Sequence, residues 1–272
     1  MTRIGVLQMT AGIDPAVNAD TITDAVRSAA QGGAAMLFTP EMSGLLDRDR
    51  ERATPYIVAE EHNPVLAAVR EAASRNGIWV ALGSLAVATE NGRWANRSFL
   101  IDGRGEIDVR YDKIHMFDVD LASGESWRES NAYEAGGEVV TAENTPLGRL
   151  GLTICYDIRF PALFEALGRR KCDVIAIPAA FTVPTGAAHW HLLQRARAVE
   201  ASAWVVAAAQ VGKHADGRRT YGHSLLVDPW GEVVLDMGGD APGLGFGEID
   251  PARTAEVRAQ LPSLANRQPI AN

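Results

Sequence analysis

Glu41, Lys113 and Cys155 each stand within one or two residues of the end of an apolar stretch that reads as a β-strand. A carboxylate, an ammonium and a thiol brought together have an obvious joint use. The thiol attacks a carbonyl carbon as thiolate, the carboxylate takes its proton, and the ammonium stabilises the oxyanion. The carboxyl ends of strands are where such groups converge in open α/β sheets. The pattern is sharpest in RLGLTICYDIRFP (149–161), where Leu150, Leu152 and Ile154 alternate with small residues as in a buried strand. Asp157 offers a helix cap there, and Pro161 suits a first helical turn ahead of Ala162, Leu163 and Leu167. A thiol at such a strand-to-helix junction is held rigidly, beside backbone N–H groups free to face a reacting oxygen. Singly, each residue has an ordinary explanation: a buried filler cysteine, a surface glutamate, a solvated lysine.

The elements that must position these groups follow from periodicity. Residues 3–9 and 34–39 read as buried strands, separated by a helix whose stripe Ile22, Ala25, Val26 and Ala29 begins after Asp20-Thr21 and stops at Gly32-Gly33. A second amphipathic helix covers 64–75 and precedes a strand at 78–85. Asn91-Gly92 marks a hairpin, and a further strand at 107–111 leads to Lys113. Residues 114–137 lack periodicity and predict a long functional loop. After the Cys155 unit come a strand at 172–178, an irregular loop at 179–188, a helix at 189–203 and a strand at 204–211. A turn at Asp216-Gly217, strand YGHSLLV, a turn at 228–231, strand EVVLDM and a strand at 244–249 form a meander. Pro251 opens a last helix to Leu261, and the tail from about 262 is irregular. Ten to twelve strands and about five helices, mixing βα units with hairpins, predict α/β architecture: an α-β-β-α sandwich of two mixed sheets flanked by helices. No linker, repeat or low-complexity segment divides the chain, so 1–272 is expected to be one domain.

Composition narrows the function classes. The 272 residues are 47% hydrophobic and 22% charged, ordinary globular values. A net charge of −8 argues against nucleic acid or an anionic membrane surface as partner. Two cysteines, Cys155 and Cys172, build no disulfide framework and suit a reducing compartment. Residues 1–9 run directly into a strand pattern with no cleavage site behind it, and no apolar stretch approaches a membrane span. The expectation is a cytoplasmic protein.

PEMSG around Glu41, YDKIHMFD around Lys113 and GLTICYDIRFP around Cys155 resemble the carbon–nitrogen hydrolases of the nitrilase superfamily. Three motifs in the same order, over residues 3 to about 269, make the resemblance specific. It implies the sandwich fold, a Glu–Lys–Cys triad at Glu41, Lys113 and Cys155, and a second catalytic glutamate at Glu129, with Glu125 and Glu134 as neighbouring alternatives. In that cycle Glu41 deprotonates Cys155, while Lys113 and the N–H of Tyr156 receive the oxyanion. Glu41 then protonates the leaving amine and activates water against the thioester. The cycle needs no metal and no organic cofactor. The resemblance also implies a homodimer, or a higher homo-oligomer, paired through the helix after Cys155 and the helix at 189–203, with Trp190, Leu193 and the exposed arginines near the seam.

Other constellations compete with this one. His189 and His191 point about 200° apart on a helix and cannot share an ion. His214 or His223 can instead pair with Cys155 in a papain-like site, and a catalytically inactive binding module is the remoter alternative. TGAAHWHLLQRARAVE, VVAAAQVGKH and YGHSLLVDPWGEV resemble two amidase branches, one acting on deaminated glutathione, the other the ω-amidases of α-ketoglutaramate. The AAAQVGKH segment favours the first. Phe181 and Thr182 are expected to line the pocket, with Arg159, Arg195 and Arg197 as candidate carboxylate anchors. The loop at 179–188 would admit a Cys-Gly leaving group, and Lys213 or His214 would hold its carboxylate.

Overall fold

The computed structural model describes residues 1–122, 124 and 126–268. In β1 (Thr2–Gln8), Ile4 and Val6 point to one side and Leu7 to the other, and all three are buried, as in a strand covered on both faces. The chain then runs through α1 (Pro15–Gln31), β2 (Met36–Phe38), α2 (Arg50–Ala53), α3 (Pro64–Asn76), β3 (Trp79–Ala88), β4 (Trp94–Ile101) and β5 (Ile107–Asp112). A small hairpin, β6 (Asp118–Asp120) with β7 (Ser126–Arg128), interrupts it. The second half comprises β8 (Thr141–Thr145), β9 (Gly148–Leu152), α4 (Pro161–Arg169), β10 (Val174–Ala176), α5 (Val183–Ala201) and β11 (Trp204–Ala207). A ribbon of β12 (Val211–Lys213) and β13 (Arg219–Tyr221) precedes β14 (Leu225–Val227), β15 (Val233–Asp236), β16 (Gly243–Ile249) and α6 (Pro251–Gln260).

Two six-stranded mixed sheets result, ordered β16-β1-β2-β3-β4-β5 and β15-β14-β11-β10-β9-β8. Each has three parallel strands at its centre, β1-β2-β3 and β9-β10-β11, with antiparallel strands outside them. The halves thus repeat one topology, although no sequence repeat announces it. Met36 and Phe38 of the first sheet meet Leu150, Leu152 and Val174 of the second in the central core. Ile22, Val26, Val65 and Val69 cover the first sheet's outer face, and Leu163, Leu167 and Trp190 that of the second. This is the expected α-β-β-α sandwich.

Several local expectations are corrected. Helix α1 starts at Pro15, five residues before Asp20, because Asp14 caps it by accepting from the Ala16 N–H at 2.9 Å and proline is well tolerated in the first turn. Helix α5 begins at Val183, so the predicted loop 179–188 is mostly helix. Gly186, read as a loop signal, is a packing residue: a Cβ there would lie 2.3 Å from Tyr221 Cγ. Trp190 faces inward at 1% exposure, donating from Nε1 to the His223 carbonyl, and therefore cannot contribute to a subunit seam. Strand YGHSLLV breaks at Gly222 (φ 73°) and His223 (φ 54°), where the chain leaves the β12–β13 ribbon for the second sheet. The stretch 114–137 holds the β6–β7 hairpin and a short helical turn at Glu129–Asn131. Sixteen strands and six α-helices are present among the described residues, more than the sequence pattern distinguished, because many are only three or four residues long.

Candidate active site

The carboxyl ends of the central parallel strands converge where the two sheets meet. Glu41 follows β2, and β3 presses on its loop: a Cβ at Gly83 would sit 2.0 Å from the Thr39 carbonyl oxygen and 2.3 Å from that of Pro40. Only glycine permits that approach. The Ser84 hydroxyl accepts from Met42 N–H at 2.9 Å and the Ser84 carbonyl from Ser43 N–H at 3.0 Å, holding Met42 in left-handed backbone (φ 54°). From the other sheet, Ala180 N–H donates to Glu41 Oε2 at 3.0 Å, and Gln210 Nε2 donates to the Glu41 carbonyl at 3.0 Å. Both sheets therefore aim one carboxylate.

Cys155 opens a short helical turn (Cys155–Arg159) three residues after the end of β9, with φ 48°. A non-glycine residue in that region costs on the order of 1–3 kcal/mol and persists where surrounding contacts impose it. Here Cys155 N–H donates to the Pro178 carbonyl at 2.9 Å. Asp157 was expected to cap the following helix. Instead its buried carboxylate accepts from Ile154 N–H (2.9 Å), Tyr111 Oη–H (2.6 Å) and His115 N–H (3.0 Å), with His115 Nδ1 at 2.7 Å. It thereby ties the cysteine turn to the segment that carries Lys113. Burial and the Asp157 charge keep the Tyr111 phenol protonated.

Lys113 is buried between two carboxylates. Its Nζ lies 2.9 Å from Glu41 Oε1 and 2.9 and 3.1 Å from the two oxygens of Glu129. Burial opposes its charge, but Glu129 and Glu41 overcome that and hold the ammonium well above the ordinary lysine range. Asn96, inside β4, bridges the same carboxylates from Nδ2, at 3.0 Å to Glu41 and 3.1 Å to Glu129, and Phe117 N–H donates to Glu129 at 2.7 Å. Burial, reinforced by the neighbouring Glu41 charge, pushes the Cys155 thiol well above its ordinary range, against the opposing pull of Lys113. Cys155 therefore stands as a thiol with the Glu41 side chain beside it.

Glu41, Lys113, Cys155, Glu129, Tyr156, Phe181 and Thr182 all line one open pocket. As the second residue of its turn, Tyr156 carries an N–H without an intrahelical acceptor. Glu134 is outside the pocket lining, and Glu125 lies outside the described residues. Of the candidate anchors only Arg159 lines the pocket, its guanidinium 5.3 Å from the Phe181 ring centroid. Arg195 donates to the Gly231 carbonyl and Arg197 to the Ile158 carbonyl, both as structural ties.

The papain-like alternative fails, since neither His214 nor His223 lines the pocket. The expected carboxylate partners are also corrected. Lys213 does not line the pocket, and His214 is 2% exposed, with Nδ1 2.8 Å from the Ala11 carbonyl and Nε2 2.7 Å from Thr220 Oγ1. Burial holds His214 below the ordinary histidine value of 6.5. The unfolded chain takes up a proton near that value while the folded protein stays neutral, so the folded state loses stability as pH falls through about 6.5 toward the depressed value. His214→Gln is expected to flatten the fall in Tm between about pH 7 and pH 5.5, as calorimetry across that range would show. An unchanged slope would mean that His214 is not the group titrating.

Away from the pocket, His191, His223 and Asp236 place possible ligand atoms within 4.8 Å of one another. Asp236 is already engaged by both imidazoles, at 2.9 Å from each, which is a closed hydrogen-bonded set. Asn96, Gln210 and the arginines of the pocket rim other than Arg159 were not singled out by sequence reasoning, and Asp157 was read only as a helix cap. The available signal at Asn96 was a polar run, Asn96-Arg97-Ser98, inside a strand that is apolar at both ends. No helix among the described residues is long and apolar enough to cross a membrane.

A family model described as carbon-nitrogen hydrolase matches residues 3–259. The chain is 39% identical to the deaminated glutathione amidase of Yersinia enterocolitica over 271 residues, covering 98% of this chain and 93% of that protein. Among solved structures, the NitFhit protein of C. elegans superposes with a TM-score of 0.90 at 34% identity, covering 98% of this chain; this chain spans 65% of that one. A variant of an amidase from Nesterenkonia sp. AN1, bearing acrylamide joined by Michael addition to its active-site cysteine, gives a TM-score of 0.80 at 26% identity over 96% of this chain and 98% of that one.

Proposed function

This chain belongs to the carbon–nitrogen hydrolase family and is a hydrolase of C–N bonds; from that premise we propose that it cleaves a 2-oxoglutaryl amide through a Cys155 thioester, with deaminated glutathione as substrate. The observation that carries the reading is the pocket itself, which unites Cys155, Glu41, Lys113 and Glu129 with the cationic Arg159. Arg159 would hold the 2-oxo acid carboxylate while the amide carbon lies against the thiol.

Cys155 Sγ attacks the amide carbon as Glu41 takes its proton. The oxyanion is met by the Lys113 ammonium and the Tyr156 N–H. Collapse expels the amine with the proton returned by Glu41. A water, deprotonated by the same carboxylate, then cleaves the thioester and restores the thiol. Glu129 keeps Lys113 charged and oriented throughout. The residues described supply every proton transfer in this cycle. The same reading places the enzyme in the cytoplasm as a homodimer paired through the outward faces of α4 and α5, where Leu192 and Val199 are exposed.

Room for a leaving group larger than ammonia was expected from an open loop at 179–188. In this reading it is offered instead between the walls formed by residues 45–50, the β6–β7 hairpin and the β12–β13 ribbon, which line the open pocket. The test compares kcat/KM for deaminated glutathione, read as Cys-Gly release, with that for α-ketoglutaramate, read as ammonia. Deaminated glutathione is expected to be preferred by roughly tenfold or more, the discrimination available from one additional charged contact. Preference for α-ketoglutaramate would make the protein an ω-amidase.

A further inference from the structure

We propose that Arg48 and Arg218, joined through Asp216, form a second carboxylate subsite that grips the C-terminal carboxylate of the departing Cys-Gly. The inference rests on the amidase reading above and adds the leaving-group side to it. A chain of net charge −8 places Arg48, Arg50, Arg128, Arg159, Arg218 and Arg219 around this one pocket. Its acidic lining residues, Glu41, Asp47 and Glu129, are already paired with Lys113 or Arg52. The pocket therefore favours an anion beyond what the chemistry at Cys155 requires.

The geometry at one corner is pinned. Asp216, whose side chain is fully buried, accepts from Arg218 N–H at 3.0 Å through Oδ1, and through Oδ2 from Arg218 Nε at 2.9 Å and Arg48 N–H at 3.0 Å. One carboxylate thus fastens the β12–β13 turn to the loop after Glu41 and brings both arginines to the same rim. The Arg218 guanidinium lies 4.8 Å over the Trp127 ring of the β6–β7 hairpin, which fixes the plane of its fork. Arg48 rests against the turn, with Nη2 3.4 Å from where a Cβ on Gly217 would sit. Among the described residues the Arg48 guanidinium has no hydrogen bond or ion pair. The neighbouring Asp47 is held by Arg52 at 2.6 and 2.7 Å, so it does not occupy Arg48.

Arg159 belongs to the cysteine turn, whereas Arg48 and Arg218 belong to loops on other elements. Two separately built cationic positions in one pocket match a substrate with a carboxylate at each end. Ammonia, the leaving group of α-ketoglutaramate, would leave the second position without a use.

The experiment measures kcat/KM for deaminated glutathione and for its C-terminal carboxamide, which differ only in that carboxylate. The wild-type ratio of acid to carboxamide is expected to be about 30 or more, the size of effect given by charge-assisted, bidentate pairing. Arg48→Gln and Arg218→Gln should each lower the ratio about fivefold to tenfold, and the double variant should bring it near one. Arg218→Gln strands Asp216 and can unsettle the turn. Arg218→Lys, which keeps the charge and loses the fork, is therefore included and should also lower the ratio. A wild-type ratio near one, or a ratio unchanged in both Arg48→Gln and Arg218→Lys, overturns the subsite while leaving the amidase reading intact. Failure to turn over either compound overturns the substrate reading itself, and the subsite with it.

Discussion

Cys155→Ala is expected to fold normally and to lose at least about 10⁴-fold in amide turnover, the scale on which removal of a catalytic nucleophile acts. Normal folding is expected because the change removes one sulfur from a site held by backbone contacts. The Cys155 N–H bond to Pro178 and the Asp157 lock on the turn survive the substitution. Activity cannot pass to the other cysteine. Cys172 is fully buried, and burial pushes its thiol up to about 12. Steady-state kinetics on the best substrate, with a thermal melt on the same preparation, make the check. Mass spectrometry should also find the wild-type chain, and not the variant, carrying an acyl group at residue 155 during turnover. A variant retaining a tenth of the activity would remove the thioester from the mechanism.

The second large effect is expected at Lys113. Because its ammonium touches both Glu41 and Glu129, Lys113→Met removes the donor proposed for the oxyanion and also leaves the buried Glu41 and the part-buried Glu129 facing each other across Asn96. Loss of an oxyanion donor costs on the order of 10²–10³ in kcat. Breaking a buried ion pair by removing one partner costs about 3–5 kcal/mol of stability. Lys113→Arg separates the two consequences. The guanidinium restores the positive charge, so much of the stability should return. Its larger, planar fork directs its donors differently, so the rate should stay low. Urea unfolding and kcat measured on both variants would show the split. A near-normal rate in Lys113→Met would place the lysine outside the reaction and reduce its role to neutralising Glu41 and Glu129.

Much of this architecture was legible from local chemistry. The apolar runs at 3–9 and 204–207 and the alternation at 149–154 form strands because a pleated backbone sends successive side chains to opposite faces, both of which are buried in a central strand. Residues at the ends of such strands, Glu41, Lys113 and Cys155, could be named as reactive groups because their types and their place after a strand are both properties of a few adjacent residues. Helix limits were legible where the cap is local, as at Asn63 and Gly77 around α3. They were misread where the start was set too late, at Asp20-Thr21 instead of Pro15 and at 189 instead of Val183, although the first turn of a helix tolerates the prolines found there.

What only the tertiary structure decided concerns partners far apart in the chain. Asn96 reaches Glu41 across 55 positions, Asp157 receives Tyr111 across 46, and Asp216 receives Arg48 across 168. Gly186 read as a loop residue because nothing nearby in sequence shows Tyr221 against it. His214 and Lys213 were expected at the pocket and Arg218 was not, yet all three share one ribbon. Which side chains of a ribbon face a cavity depends on the register β12 adopts with β13 and on the surface they dock against. A strand's own periodicity says that its faces alternate. Which face meets the substrate is set by the sheet, loop and hairpin packed beside it.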